Sequence, residues 1–227
     1  MDRTETVAAL DAEIRELTGT LQGLTGKEAR RPTRCAPWDV AALAEHTVGA
    51  VHRPALMLDG VAPARAEVSA LGYYSPDVRF SDRVNRERVD SAMQAAALRT
   101  DPGETGRALE AAWLEVEPRL LAAPAGRTVL TRHGDAMLLD DFLVTRVVEL
   151  LLHGLDLADA LEREPWATPE ALAIVQRLLF GDADPGPLGT AGLTGLDAVR
   201  AATGRTLPGR PGPETLDGAA VNFLALG

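Results

Sequence analysis

Four polar side chains, Arg146, Glu149, His153 and Asp156, share one stripe of a segment that is otherwise apolar. On a helix turning about 100° per residue they fall within an arc of roughly 80°. Val147, Val148, Leu150, Leu151, Leu152, Leu155 and Leu157 cover nearly all the rest. A helix apolar around most of its circumference is a buried one, so the stripe is expected to face the interior. Buried charge is costly unless it is paired or bound to a metal. Glu149 and His153, at i and i+4, stand close enough to share one ion.

A third ligand must come from another element, and only four histidines are available. His133 sits in a turn and is expected to be solvated. His46 lies on a predicted helix beside Ala42, Leu43, Gly49, Ala50 and Arg53, small residues that leave room above a polar group. His52 is about 120° away around the same helix and is not expected to serve the same site. Taken singly, His46 reads as a core histidine and the Glu149–His153 pair as a helical hydrogen bond. Together they supply two imidazoles and one carboxylate, the ligand set of open catalytic zinc sites. The fourth position is then free for water, a thiolate or a substrate.

The 227-residue chain has the length of one large domain, or of one domain with a small appendage, and is 46% hydrophobic, enough for a substantial core. Cys35 is the only cysteine, so no intrachain disulfide forms, consistent with a reducing compartment. The start lacks a basic and apolar leader. No apolar run approaches the 18 or so residues of a membrane span, and a soluble, cytoplasmic protein is expected. The net charge of −10 argues against nucleic acid and anionic membrane surfaces as partners. Lys27 is the only lysine, amid abundant Arg, Ala, Gly and Pro, a bias typical of GC-rich genomes.

The helices that must position these residues show in the apolar spacing. Val7, Leu10, Ile14, Leu17, Leu21 and Leu24 form a seam, and Gly26 is where that helix should stop. A second helix is predicted near Asp39–Leu58, with Asp39 as N-cap and Pro54 bending or ending it. Residues 59–82 read as a long excursion, followed by a shorter helix near Asp82–Arg99. Leu109, Trp113, Val116 and Leu120 mark a third main helix. Thr128–Thr131 and Ala136–Leu139 predict a hairpin, and Asp140 or Asp141 a cap for a fourth main helix running to about Glu162. Helices near Pro169–Phe180 and Thr194–Thr203 follow, then a Pro- and Gly-rich tail from Arg205 to Asp217. The fold class is mainly α: a four-helix bundle over 1–164, with a short hairpin before its fourth helix, and a small C-terminal extension over 165–227 packed on it.

Arg34-Cys35-Ala36-Pro37-Trp38-Asp39-Val40, followed by Leu43-Ala44-Glu45-His46, resembles the opening of the mycothiol-dependent maleylpyruvate isomerase family. Thr145-Arg146-Val147-Val148-Glu149 through His153-Gly154-Leu155-Asp156-Leu157-Ala158 resembles its second signature. The Leu193–Arg205 stretch and the terminal Phe223–Gly227 look like its C-terminal pattern. The resemblance implies a DinB-like bundle and a divalent metal, usually zinc, held by His, Glu and His in that order. By position these are His46, Glu149 and His153. It further implies mycothiol, a low-molecular-weight thiol cofactor of actinobacteria, as the nucleophile acting on a small electrophilic substrate.

A zinc with an open position can deprotonate a bound thiol. An isomerase would add that thiolate to an alkene, let the carbon–carbon bond rotate and expel it; an S-transferase would leave it on the product. A hydrolase using zinc-bound water and a regulatory module that holds metal or ligand without turnover remain open. Asp156 is expected to orient His153 without touching the metal, or else to pair with Arg146, which neutralises the stripe. Arg53 is a candidate for an anionic substrate. Arg83, Asn85 and Arg86 are candidates for the thiol cofactor, and Arg205, matching the family's C-terminal arginine, for a substrate carboxylate. Cys35 and Trp38 read as structural.

Overall fold

The computed structural model describes residues 2–77, 81–181, 193, 195–210, 212–216 and 221–225. Residues 78–80 of the excursion, and Thr194, Pro211, Asp217, Leu226 and Gly227 of the C-terminal stretches, lie outside them. Helix α1 (Arg3–Gln22) starts at the Asp2 cap and buries Val7, Leu10, Ile14, Leu17 and Leu21 along one side. It stops at Gly23, not Gly26. Thr25 and Glu28 form a reciprocal capping box that starts the short α2 (Gly26–Ala29), so Gly26 opens a helix where it was expected to close one.

Helix α3 (Val40–Asp59) begins at Asp39, whose carboxylate accepts from the Ala42 amide at 2.9 Å. Pro54 does not end it; the flanking Val51 and Ala55 are fully packed in the core, and the helix runs on to Asp59. Helix α4 (Asp82–Ala97) buries only Val84 and Ala92, whereas α5 (Glu104–Ala122) buries Leu109, Trp113, Val116 and Leu120. Strands β1 (Thr128–Leu130) and β2 (Ala136–Leu138) pair antiparallel, with Val129 opposite Met137. Gly134 supplies the positive φ of 89° that their turn needs.

The long excursion before α4 docks on this hairpin. The Glu67 and Val68 amides both donate to the Ala136 carbonyl, at 2.8 and 3.1 Å, and the excursion ends in a 3₁₀ turn at Gly72–Tyr74. Helix α6 (Leu139–Leu161) follows β2 directly, so its N-cap is Leu138 and not an aspartate. Asp140 instead pairs with Arg3 at 2.5 Å.

Helices α1 and α3 each pack against both α5 and α6, closing a four-helix ring whose interior is the apolar core. Helix α4 lies on α3, α7 (Pro169–Phe180) on α1 and α6, and α8 (Gly195–Ala202) on α7. Among the described residues no helix is long and apolar enough to cross a membrane.

Helix α5 approaches α1 closely at Gly106. A Cβ there would lie 2.6 Å from the Gln22 backbone nitrogen and 3.0 Å from the Thr18 carbonyl oxygen. In an open helix Gly→Ala gains about 1 kcal/mol, while overpacking a core costs about 1–3 kcal/mol. Because the obstruction is backbone, the second effect should win. Gly106→Ala is expected to lower stability by about 1–2 kcal/mol, read from the urea midpoint at unchanged slope. A gain of stability would show that the helices are further apart than this.

Candidate metal centre and its cavity

Helix α6 carries the polar stripe to a cavity of about 330 Å³ between α3, α4, α6 and the hairpin turn. His46 reaches it from α3, where Gly49 and Ala50 keep the neighbouring wall low. The His46 Nε2 lies 3.3 Å from Glu149 Oε2, and the His153 Nε2 lies 3.4 Å from the same oxygen. These separations exceed the roughly 2.9 Å of a usual N–H···O bond. They match the edge, about 3.3–3.4 Å, of a tetrahedron with metal–ligand bonds of about 2.0–2.1 Å. Two imidazole nitrogens and a carboxylate oxygen with two edges of that length, all three within 4.8 Å of one another, fit a divalent metal.

The groups behind the three side chains hold them in place. The Trp38 ring lies against that of His46 with centroids 4.7 Å apart. The His153 Nδ1 meets Asp156 Oδ2 at 3.1 Å, which leaves Nε2 for the cavity. Arg205 in turn donates to both oxygens of the fully buried Asp156, at 2.9 and 2.8 Å. Arg146, buried over the Phe142 ring at 4.6 Å, has its Nη2 3.9 Å from Glu149 Oε1.

The electrostatics follow from these contacts. Burial lowers His46 to about 4 despite its contact with Glu149, so its imidazole is neutral and offers a lone pair. Burial alone would raise Glu149, but hydrogen bonds to His153 and His46 and the charge of Arg146 outweigh it and hold the carboxyl well below its usual range. Burial also opposes a charge on His153. Its contacts with Asp156, Cys35 and Glu149 prevail and raise it well above the usual imidazole value. Asp156, which burial alone would raise, is held at about 2 by His153 and Arg205.

Cys35, His153 and Asp156 form a second group whose ligand atoms lie within 4.8 Å of one another. The Cys35 thiol donates to Asp156 Oδ2 at 3.3 Å, a His and acid partnership that spacing along the chain does not reveal. With Arg205 already on both carboxylate oxygens, this group is the poorer metal site.

The structure thus brings His46, Glu149, His153, Asp156 and Arg146 together and sets Arg53 in the cavity wall. It departs from expectation at several places. Arg205 lines the cavity as expected of a substrate contact, but its Nε and Nη2 are engaged by Asp156 and its Nη1 by the Thr203 carbonyl. Arg83 pairs with Glu87 on the exposed face of α4 at 2.7 Å, and neither it, Asn85 nor Arg86 lines the cavity; Arg88 of the same helix does. His133 is not simply solvated, and His52 is not remote: both line the cavity. Tyr73 and Arg132 also line it, and neither stands in a periodic pattern that could have singled it out.

Residues 10–158 match a family model described as the mycothiol maleylpyruvate isomerase N-terminal domain. No curated protein matches the chain. Among solved structures, one described as the mycothiol-dependent maleylpyruvate isomerase aligns with a TM-score of 0.57 at 13% identity, covering 93% of this chain and 97% of that one. A histidine-to-alanine mutant of an enzyme so described aligns with a TM-score of 0.49 at 14% identity, over 77% of this chain and 68% of that one. At 13% identity the first likeness is one of fold, and it agrees with the expected DinB-like helical architecture.

His46→Ala is expected to abolish stoichiometric zinc while leaving helical content intact; full zinc in that variant would refute the ligand assignment. Asp156→Asn should weaken zinc by roughly 10- to 100-fold, and a complete loss would make Asp156 itself a ligand. Because its contacts raise His153 well above the usual imidazole value, zinc binding is expected to displace a proton from it. Apparent affinity should therefore rise about tenfold per pH unit between about pH 6 and 7, and a flat profile would contradict the proton displacement.

Proposed function

The chain belongs to the mycothiol maleylpyruvate isomerase family, and from that membership and the cavity's geometry we propose a metal- and mycothiol-dependent enzyme. Its substrate is a small electrophile, which it isomerises or joins to the thiol. The observation that carries this reading is the pair of 3.3 and 3.4 Å imidazole–carboxylate contacts in the wall of a ligand-sized cavity. The solved relative described as mycothiol-dependent supports the choice of thiol. Mycothiol use fits a cytoplasmic enzyme of an actinobacterial host.

His46, Glu149 and His153 would hold the metal. It supplies a Lewis acid that lowers a thiol's pKa, so that mycothiol reacts as its thiolate. The chain's own residues do the rest. Trp38 fixes the His46 ring and covers one side of it. Asp156 fixes the proton of His153 on Nδ1, and Arg205 prevents that carboxylate from turning away. Arg146 steadies the Glu149 oxygen that does not face the imidazoles. On this reading residues 1–164 form the metal-binding bundle, and 165–227 are a small C-terminal region whose α7 packs on it and whose Arg205 clamps Asp156.

Consumption of an electron-poor alkene should require both metal and mycothiol. Adding the thiol to cobalt-substituted protein should give a sulfur-to-metal charge-transfer band that is absent in His46→Ala. Hydrolysis at full rate without any thiol would replace this reading with that of a zinc hydrolase.

A further inference from the structure

The cavity is strongly cationic although the chain carries a net charge of −10. Arginines enter its wall from four elements beside the metal centre: Arg53 from α3, Arg88 from α4, Arg132 from the hairpin turn and Arg146 from α6. Arg146 is committed to Glu149 and the Phe142 ring. Arg53 and Arg132 are different, since among the described residues neither has an ion pair. Among the described residues the Arg132 Nε donates to His133 Nε2, at 3.3 Å.

Both guanidinium groups line the same cavity. Burial, and then the charges of Arg132 and Arg146, push the Arg53 guanidinium below its ordinary value, and Arg88 adds its charge beside Arg132. The carboxylate that acts on both is Glu149, and its Oε2 is taken by His46 and His153. Arg53 and Arg132 share one cavity wall and have no ion pair among the described residues, so an arriving anion relieves the repulsion between them. Planar guanidinium groups match a carboxylate in shape and charge.

We propose that Arg53 and Arg132 form an anion subsite that takes a carboxylate of the electrophilic substrate. This deepens the proposed function and rests on its choice of cavity. It adds the hairpin turn and the middle of α3 to the substrate-recognising surface, beside an Arg205 whose guanidinium is engaged by Asp156.

Binding of maleate to the full-length protein, followed by calorimetry with and without metal chelation, tests the subsite. Arg53→Gln and Arg132→Gln should each weaken maleate by about 10- to 100-fold, the loss of a hydrogen bond to a charged group. The uncharged maleamide should be unaffected, and so should zinc content. Inorganic phosphate should bind more weakly than maleate. Arg132 is exposed on a turn, so its variant keeps the test valid should Arg53→Gln fold poorly. The inference is overturned by maleate binding that ignores both variants, by equal loss of maleamide, or by phosphate binding tighter than maleate. Maleate binding that disappears on chelation but not with the variants would place the carboxylate on the metal and refute the subsite alone. Arginine-dependent maleate binding without thiol-dependent turnover would leave the subsite standing and refute the proposed function.

Discussion

Two carboxylates on one buried helix set the constraint that the rest of the molecule answers. Glu149 and Asp156 lie two turns apart on α6, with His153 between them, on a helix whose other faces are sealed in the apolar core. Leaving either charge uncompensated would cost several kcal/mol. Helix α3 therefore brings His46 to Glu149, and the segment after α8 brings Arg205 to Asp156. Without His46, Glu149 keeps His153 and Arg146 but loses one contact; without Arg205, Asp156 loses the cation that holds both of its oxygens. The C-terminal region is thereby tied to the centre through one carboxylate, although it lies outside the matched stretch of residues 10–158.

His153 is where the two halves of this arrangement meet. One ring nitrogen serves Asp156 and the other serves the cavity. The buried Asp156–Arg205 pair fixes which is which, because an arginine on both oxygens leaves the carboxylate no other orientation. The same pair explains why Cys35, though adjacent, is left as a hydrogen-bond donor to Asp156. The overall negative charge and the cationic cavity are compatible because the cations are concentrated at one concave surface, where low-dielectric walls strengthen their field.

The metal-ligand candidates were legible because helical spacing on an apolar background exposes polar exceptions: Glu149, His153 and Asp156 recur at intervals of four and three, and His46 stands among small residues. The main helices were legible for the same reason, since α1, α5 and α6 bury long apolar seams. Helix α4 was found but its face was not. With only Val84 and Ala92 buried, its pattern does not say which side turns inward, so Arg83, Asn85 and Arg86 were picked where Arg88 lines the cavity. Arg132, His133 and Tyr73 belong to turns whose direction is set by pairing between the excursion and β2, which no local period encodes. The Asp156 pairing of Arg205 was not legible because the two residues lie 49 positions apart in sequence, one on α6 and the other in the segment after α8.

X-ray absorption at the zinc edge of the reconstituted protein tests the central assignment most directly. Ligation by His46, Glu149 and His153 predicts a first shell of nitrogen and oxygen alone at about 2.0–2.2 Å, with the outer-shell signature of two imidazoles. Sulfur at about 2.3 Å in the thiol-free protein would instead put the metal on Cys35 beside Asp156 and contradict the account.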